Sequence, residues 1–225
     1  MADKKPVVVA IDGPAGSGKS TISKLVAKRL GLLYLDTGAM YRALTLKAMA
    51  QGVDLRDEGA LIRLAEKTKI KLRKRPRRPV VTVLLDGKDV TRRIRTPEVT
   101  KNIKYVARVR GVRRCMVKLQ RSIGSKSGAV LEGRDTTTVV FPRAPYKFYL
   151  DADLKARAMR RYKELRSLGI KVSLRAVRAD AEARDSSDKT RKAGPLRRAK
   201  DARYIDTTKM SIDEVVERVL SQIKA

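Results

Sequence analysis

The sequence predicts an α/β fold with a central, mostly parallel sheet covered by helices on both faces. Three observations lead there. Short apolar runs at residues 7–11, 32–35 and 129–131, and a fourth at 146–150 interrupted only by Lys147, read as strands buried on both sides. Helical periodicity alternates with them, as connections between parallel strands require. The 225 residues, 42% hydrophobic and 35% charged, suffice for one such domain with a small inserted subdomain.

The elements follow one another with local signals. Residues 7–11 form the first strand, and a glycine-rich turn leads into a helix at 20–30 with Ile22, Leu25, Val26 and Leu30 on one face, stopped by Gly31. A second short strand, 32–35, ends in Asp36, and a helix at 39–51 is stopped by Gly52. Residues 58–67 are helical, and strands at 70–72 and 80–85 flank the basic, proline-broken stretch KLRKRPRRP. Asp86-Gly87 makes a turn. Thr96 is an N-cap with Pro97 at the first helical position, and a long helix covers 112–122. Strands at 129–131 and 146–150 precede an arginine-rich helix at 154–168 and a helix from Ser173 to about residue 183. A last strand, 203–205, is followed by a capping box, Ser211 to Glu214, that opens the C-terminal helix.

Composition excludes several chemistries. The chain has no histidine and one cysteine, Cys115, so Ser-His-Asp and Cys-His catalysis are ruled out and a catalytic zinc site is disfavoured. No apolar run is long enough to span a membrane and the N-terminus lacks a signal-peptide pattern, so a cytoplasmic protein is expected. The net charge of +30 has three readings: attraction to a polyanion such as RNA, a site for highly charged small substrates, or a solvated ionic surface. With aromatics at 4%, stacking platforms for single strands are few, and no specific nucleic acid is expected.

Residues 13–20, GPAGSGKS, match G-x-x-x-x-G-K-[ST] in full, between an apolar strand and an amphipathic helix. Gly13, Pro14, Ala15, Gly16, Ser17, Gly18, Lys19, Ser20 and Thr21 therefore form a phosphate-binding loop for a nucleoside triphosphate, with backbone N–H groups and the helix N-terminus facing phosphate. Lys19 reaches the β- and γ-phosphates, and the Ser20 hydroxyl is placed for magnesium. The motif defines the three-layer P-loop NTPase fold. The sole asparagine, Asn102, precedes Ile103, so the GTPase base-reading motif Asn-Lys-x-Asp is absent and small kinases remain. Four apolar runs end in aspartate, at Asp36, Asp86, Asp151 and Asp206; Asp36 is the best placed to face ligand, and Asp86 reads as a turn residue.

Five blocks carry a resemblance: AIDGPAGSGKST (10–21), LDTGAMYR (35–42), DVTRRIRTPEV (89–99), LEGRDTTTVVFP (131–142) and RDSSDKTRKAGPL (184–196). In this order and spacing they resemble the bacterial cytidylate kinase family over essentially the whole chain. The resemblance implies one kinase domain, 1–225, with a core at about 1–66 and 124–225, a monophosphate-binding insert at about 67–123 and a short lid at about 154–170. It implies transfer of the γ-phosphoryl of ATP to CMP or dCMP with Mg2+, by a monomer. Residue by residue, it implies that Thr37, Arg42, Arg113, Arg134, Asp135, Arg184, Asp188 and Arg191 bind the acceptor. Lys19, Arg157, Asp135 and Arg191 are the expected catalytic groups. Arginine forks suit phosphate oxygens, and Arg157, Arg160, Arg161 and Arg184 have helical spacings that could bring them to one crevice; for Arg160 and Arg161 a solvated helix face is an equal reading. Two positions depart from the family pattern: Thr137 replaces a glycine, and Lys104 stands where a base-reading serine is usual. Other acceptors, UMP or a small metabolite such as shikimate, and a P-loop RNA-binding protein are the rival readings.

Overall fold

The computed structural model describes residues 6–74 and 81–223. Among the described residues there are eighteen elements, fifteen of them in the order expected from the sequence, and five strands form one sheet in the order β2-β6-β1-β7-β8. A separate three-stranded sheet has the order β3-β4-β5. The chain divides into two compact units. One is built on Ala27–Leu131 and takes in Val7 and Val8; the other comprises Val9–Val26 and the chain from Glu132 onward.

The first unit begins with β2 (Leu33–Asp36) and α2 (Thr37–Ala50). Asp36 is the N-cap, its carboxylate accepting from the Ala39 N–H at 2.9 Å. Met40, Ala43, Leu44 and Ala48 on α2 are buried, and full burial of a side chain the size of Met40 or Leu44 contributes about 1.5–3 kcal/mol. α3 (Glu58–Lys67) has the predicted bounds, with Asp57 as N-cap. β3 (Ile70–Lys74) and β4 (Val81–Leu85) pair antiparallel, and β5 (Lys88–Asp89), which the sequence did not signal, returns along β4. The Asp86-Gly87 turn is confirmed, with φ of 48° and 87°, the left-handed pair that a two-residue hairpin requires. Asp86 is more than a turn residue: its carboxylate accepts from the Lys69 N–H at 2.9 Å and pairs with Lys47 at 2.7 Å. Most of the basic stretch, residues 75–79, lies outside the described residues, as does Val80.

A short helical turn, Arg93–Arg95, precedes α4 (Pro97–Ala107), where Thr96 caps and Pro97 opens the helix as predicted. α5 runs Arg110–Ser127, longer at both ends than the predicted 112–122. Its start has no side-chain cap, so no polar signal marked it, and its end waits for Gly128, whose φ is 72°.

The second unit is laid on β1 (Val8–Asp12), every residue of which is buried. β1 pairs parallel with β7 (Tyr146–Asp151), Ile11 opposite Phe148, and β7 pairs parallel with β8 (Arg203–Asp206). After β1 the chain turns into α1 (Lys19–Arg29). β6 (Ala129–Gly133) ends in a single wide helical turn, Thr136–Val140, closed by Phe141 N–H donating to the Thr136 carbonyl at 2.8 Å. α6 (Leu154–Ser167) packs on α7 (Leu174–Thr190), and α8 (Ile212–Leu220) has the predicted capping box. α7 corrects the predicted end at about 183. It runs on to Thr190, through Asp185 and Asp188, which pair with Arg157 and Arg134.

Candidate active site

The glycine-rich turn in the second unit is shaped by contacts that only glycine permits. At Gly13 (φ 152°) a Cβ would lie 1.9 Å from the Leu150 carbonyl oxygen, and at Gly16 (φ 78°) one would meet Arg157 at 3.0 Å. Ser17 Oγ donates to the Pro14 carbonyl at 3.1 Å, and Thr207 Oγ1 donates to the Ser17 carbonyl at 3.2 Å. The loop is thus held by its own hydroxyl and by the segment that follows β8.

Lys19 opens α1 and is buried, with Nζ donating to the Pro14 carbonyl at 2.5 Å and to Ser17 Oγ at 3.4 Å. Burial, reinforced by the nearby Arg134 charge, lowers its ammonium to about 7, against the pull of Glu132, Asp12 and Asp188. An anion entering the loop would reverse that balance. Ser20 is exposed at the start of α1. Among the described residues no group of three or more His, Cys, Asp or Glu gathers to hold a metal. Magnesium held by phosphate oxygens and water needs few protein ligands, so one exposed hydroxyl fits it.

Beside the loop runs a chain of alternating charges. Arg134, after β6, donates Nε–H to Asp188 Oδ2 at 2.7 Å. Asp188 Oδ1 lies 3.4 Å from Arg191 Nη1, and Arg191 Nη2 lies 3.8 Å from Asp135 Oδ1. Burial would raise the Asp188 carboxyl, but Arg134 and Arg191 outweigh it and hold the group below its usual value. Burial would likewise lower Arg134, and Asp188 reverses that. Arg184 sits one turn earlier on α7, 3.5 Å from Asp180; burial and the Arg134 charge lower its guanidinium. Four of the acceptor residues inferred from sequence, Arg134, Asp135, Asp188 and Arg191, are therefore in mutual contact.

Arg157 is buried beneath the loop. Its Nη1 donates to the Ala15 carbonyl at 3.1 Å and to Asp185 Oδ2 at 2.6 Å, and its Nε to the Ala152 carbonyl at 2.9 Å. The four arginines whose spacings could bring them to one crevice take separate partners. Arg160 turns to the segment after β8, donating to Thr207 Oγ1 at 3.0 Å and to the Thr207 carbonyl. Arg161 pairs with Glu164 at 2.8 Å on the exposed face. Residues three and four apart on one helix share a face, but the heads of Arg157, Arg160 and Arg161 go to different partners.

In the first unit, Thr37 and Arg113 are buried and Arg42 donates Nη1–H to Thr100 Oγ1 at 2.6 Å. Arg113 donates to the Ala107 carbonyl at 3.0 Å and lies over the Tyr41 ring at 5.4 Å. Asp36, chosen as the best-placed strand-end carboxylate, is engaged by the α2 N-terminus and by Arg95 at 3.1 Å. Lys104 is exposed on α4 with its ammonium over the Tyr105 ring.

One residue of the site escaped the sequence reading. Asp12, at the end of β1, is 0% exposed and accepts four hydrogen bonds. Oδ1 takes the Thr136 N–H and hydroxyl at 2.9 and 2.7 Å; Oδ2 takes the Thr137 N–H and hydroxyl at 2.7 and 2.6 Å. Burial raises its carboxyl, opposed by these bonds. The signal was available, because the first apolar run also ends in aspartate.

A phosphate-binding loop with a buried lysine, flanked by guanidiniums balanced on carboxylates, defines a P-loop phosphotransferase of the nucleoside monophosphate kinase class. The cytidylate kinase family model matches residues 9–225, and the chain belongs to that family. It is 49% identical to the cytidylate kinase of Desulforamulus reducens, covering 96% of each chain, and 47% identical to that of Solibacter usitatus, covering 100% of this chain and 96% of the other. An uncharacterized protein from Eubacterium ventriosum shares the fold at 10% identity, with a TM-score of 0.52 over 96% of each chain. Among the described residues no helix is long and apolar enough to cross a membrane.

Proposed function

We propose that the protein transfers the γ-phosphoryl group of ATP to CMP or dCMP, giving ADP and CDP or dCDP. The observation that carries this reading is the chain Arg134–Asp188–Arg191–Asp135, two members of which, Arg134 and Asp188, act on the Lys19 ammonium of the phosphate loop. Phosphoryl transfer asks the protein for positioning and for positive charge where negative charge develops. Lys19 and the backbone of residues 13–21 hold the donor phosphates. Arg134 and Arg191 are fork-shaped donors suited to phosphate oxygens, already aimed by carboxylates. Asp135 is an acceptor suited to an exocyclic amine or ribose hydroxyl.

The remaining roles follow the family resemblance: Thr37, Arg42 and Arg113 for the acceptor nucleotide, Arg184 and Asp188 for its ribose and phosphate, Arg157 for the transferring group. The insert at about 67–123 binds the monophosphate, and the segment at about 154–170 is the lid. Magnesium, held through the Ser20 hydroxyl, supplies charge neutralisation on the β- and γ-phosphates. The protein works as a cytoplasmic monomer. Lys19→Ala tests the donor half: a folded variant with transfer abolished supports the reading, and near-normal turnover contradicts it.

A further inference from the structure

Asp12 accepts four hydrogen bonds from Thr136 and Thr137 that no part of the phosphate-loop motif requires. We propose that Asp12 is a positioning residue for acceptor binding: acting through Thr136 and Thr137, it fixes the turn that aims Arg134 and Asp135. This rests on the kinase reading above, in which Arg134 and Asp135 take the acceptor.

The geometry confines the turn closely. β6 ends at Gly133, and Arg134 and Asp135 stand between that strand and the wide turn Thr136–Val140. Asp135 leaves strand geometry, with φ −146° and ψ 24°. The two side chains proposed to touch the acceptor are therefore on a bend, and a bend pivots unless both ends are held. The sheet holds one end. Asp12 holds the other, gripping two consecutive N–H groups and two consecutive hydroxyls with one carboxylate. Because each of its oxygens accepts two donors, the group is used as an acceptor only, and it is too deeply buried to meet substrate. It acts through the turn or not at all.

Asp12 also ends the strand that feeds the phosphate loop, one residue before Gly13. A single side chain thus fastens the acceptor turn to the root of the donor loop. Thr137, a departure from the family pattern, supplies one of the four bonds through its hydroxyl. At 2.6 Å that bond is the shortest of the set, so the β-branched residue contributes a tether where glycine would offer only its N–H.

A carboxylate that merely stabilised the fold would leave acceptor and donor kinetics equally affected, and this separates the two roles. Thr137→Val keeps shape and backbone but removes one hydroxyl donor; Thr137→Ser restores it. The expected result for Thr137→Val is a fall in kcat/KM for CMP of about 10- to 100-fold, the scale for residues that orient a site, with KM for ATP within about twofold and Thr137→Ser near wild type. CMP kinetics unchanged in Thr137→Val, an equal rise in both KM values, or failure of Thr137→Ser to rescue would overturn the proposal. Should Thr137→Val not fold, amide exchange in the unaltered protein decides. Thr136 and Thr137 N–H groups that exchange only on global unfolding support the clamp, and rapid exchange contradicts it. Wild-type turnover of CMP tests the kinase reading separately; were another monophosphate the acceptor, the same variants assayed with it would still test Asp12.

Discussion

Arg134 donates its Nε–H to Asp188 Oδ2 at 2.7 Å, tying the end of β6 to the last turn of α7. Asp188 also faces Arg191, so one carboxylate balances two guanidiniums. Asp188→Asn keeps the shape and removes the charge. It should cost about 2 kcal/mol of stability, the scale for a hydrogen bond to a charged group, and should lower CMP turnover more than ATP affinity. Asp188 is held below its ordinary value of 3.8, so its contribution is present above that pH and fades as pH falls through the lower, folded value. Urea denaturation at descending pH checks this: the gap between wild type and variant should be constant near neutrality and close in acid.

Burial, with the Arg134 charge beside it, pushes the Lys19 ammonium down from 10.5 to about 7. Bound phosphate will raise it, so ATP binding at pH 8 should take up close to one proton. Calorimetry in two buffers of different ionisation enthalpy measures that uptake, which Lys19→Met should abolish. The unfolded lysine keeps its proton to about 10.5, so the free protein should also gain stability from Lys19 as pH rises from about 7 toward that value, since there the unfolded chain binds more protons.

Local signals account for what the sequence made legible. The bounds of α3, the Thr96-Pro97 start of α4, the Ser211 capping box and the phosphate loop each rest on residues a few positions apart. The features it hid depend on long-range partners. α7 runs past its predicted end near residue 183, where Asp185 and Asp188 find Arg157 and Arg134. The wide turn at Thr136–Val140 is held by a carboxylate 124 positions away. Arg160 and Arg161 look alike in sequence, yet one reaches the Thr207 carbonyl and the other pairs with Glu164 on its own helix. Motif matching nominated the acceptor residues; only the fold joins four of them in one chain of charges.

Gly13→Ala should disable the loop. The added Cβ would stand 1.9 Å from the Leu150 carbonyl oxygen, a backbone atom that cannot step aside. A cost of about 3 kcal/mol is expected from overpacking, together with loss of ATP binding. Thermal melting with and without ATP checks both effects.

Arg157 and Asp185 form a buried pair at 2.6 Å, with Asp185 8% exposed and its Oδ1 without a hydrogen-bond partner. Arg157→Ala leaves that carboxylate without its cation, and a loss of about 3–5 kcal/mol is expected. Adding Asp185→Leu should restore much of the stability but not the hydrogen bond to the Ala15 carbonyl, so ATP affinity should stay impaired. Chemical denaturation and nucleotide titration of both variants separate the two contributions.

The central claim is the identity of the acceptor, and a panel of CMP, dCMP, UMP, AMP and shikimate with labelled ATP and magnesium tests it most directly. The charge chain beside Lys19 and the family's acceptor residues predict label transfer to CMP and dCMP in preference to every other acceptor. Label passing to UMP or shikimate in preference to CMP, or to no acceptor in the panel, would contradict it.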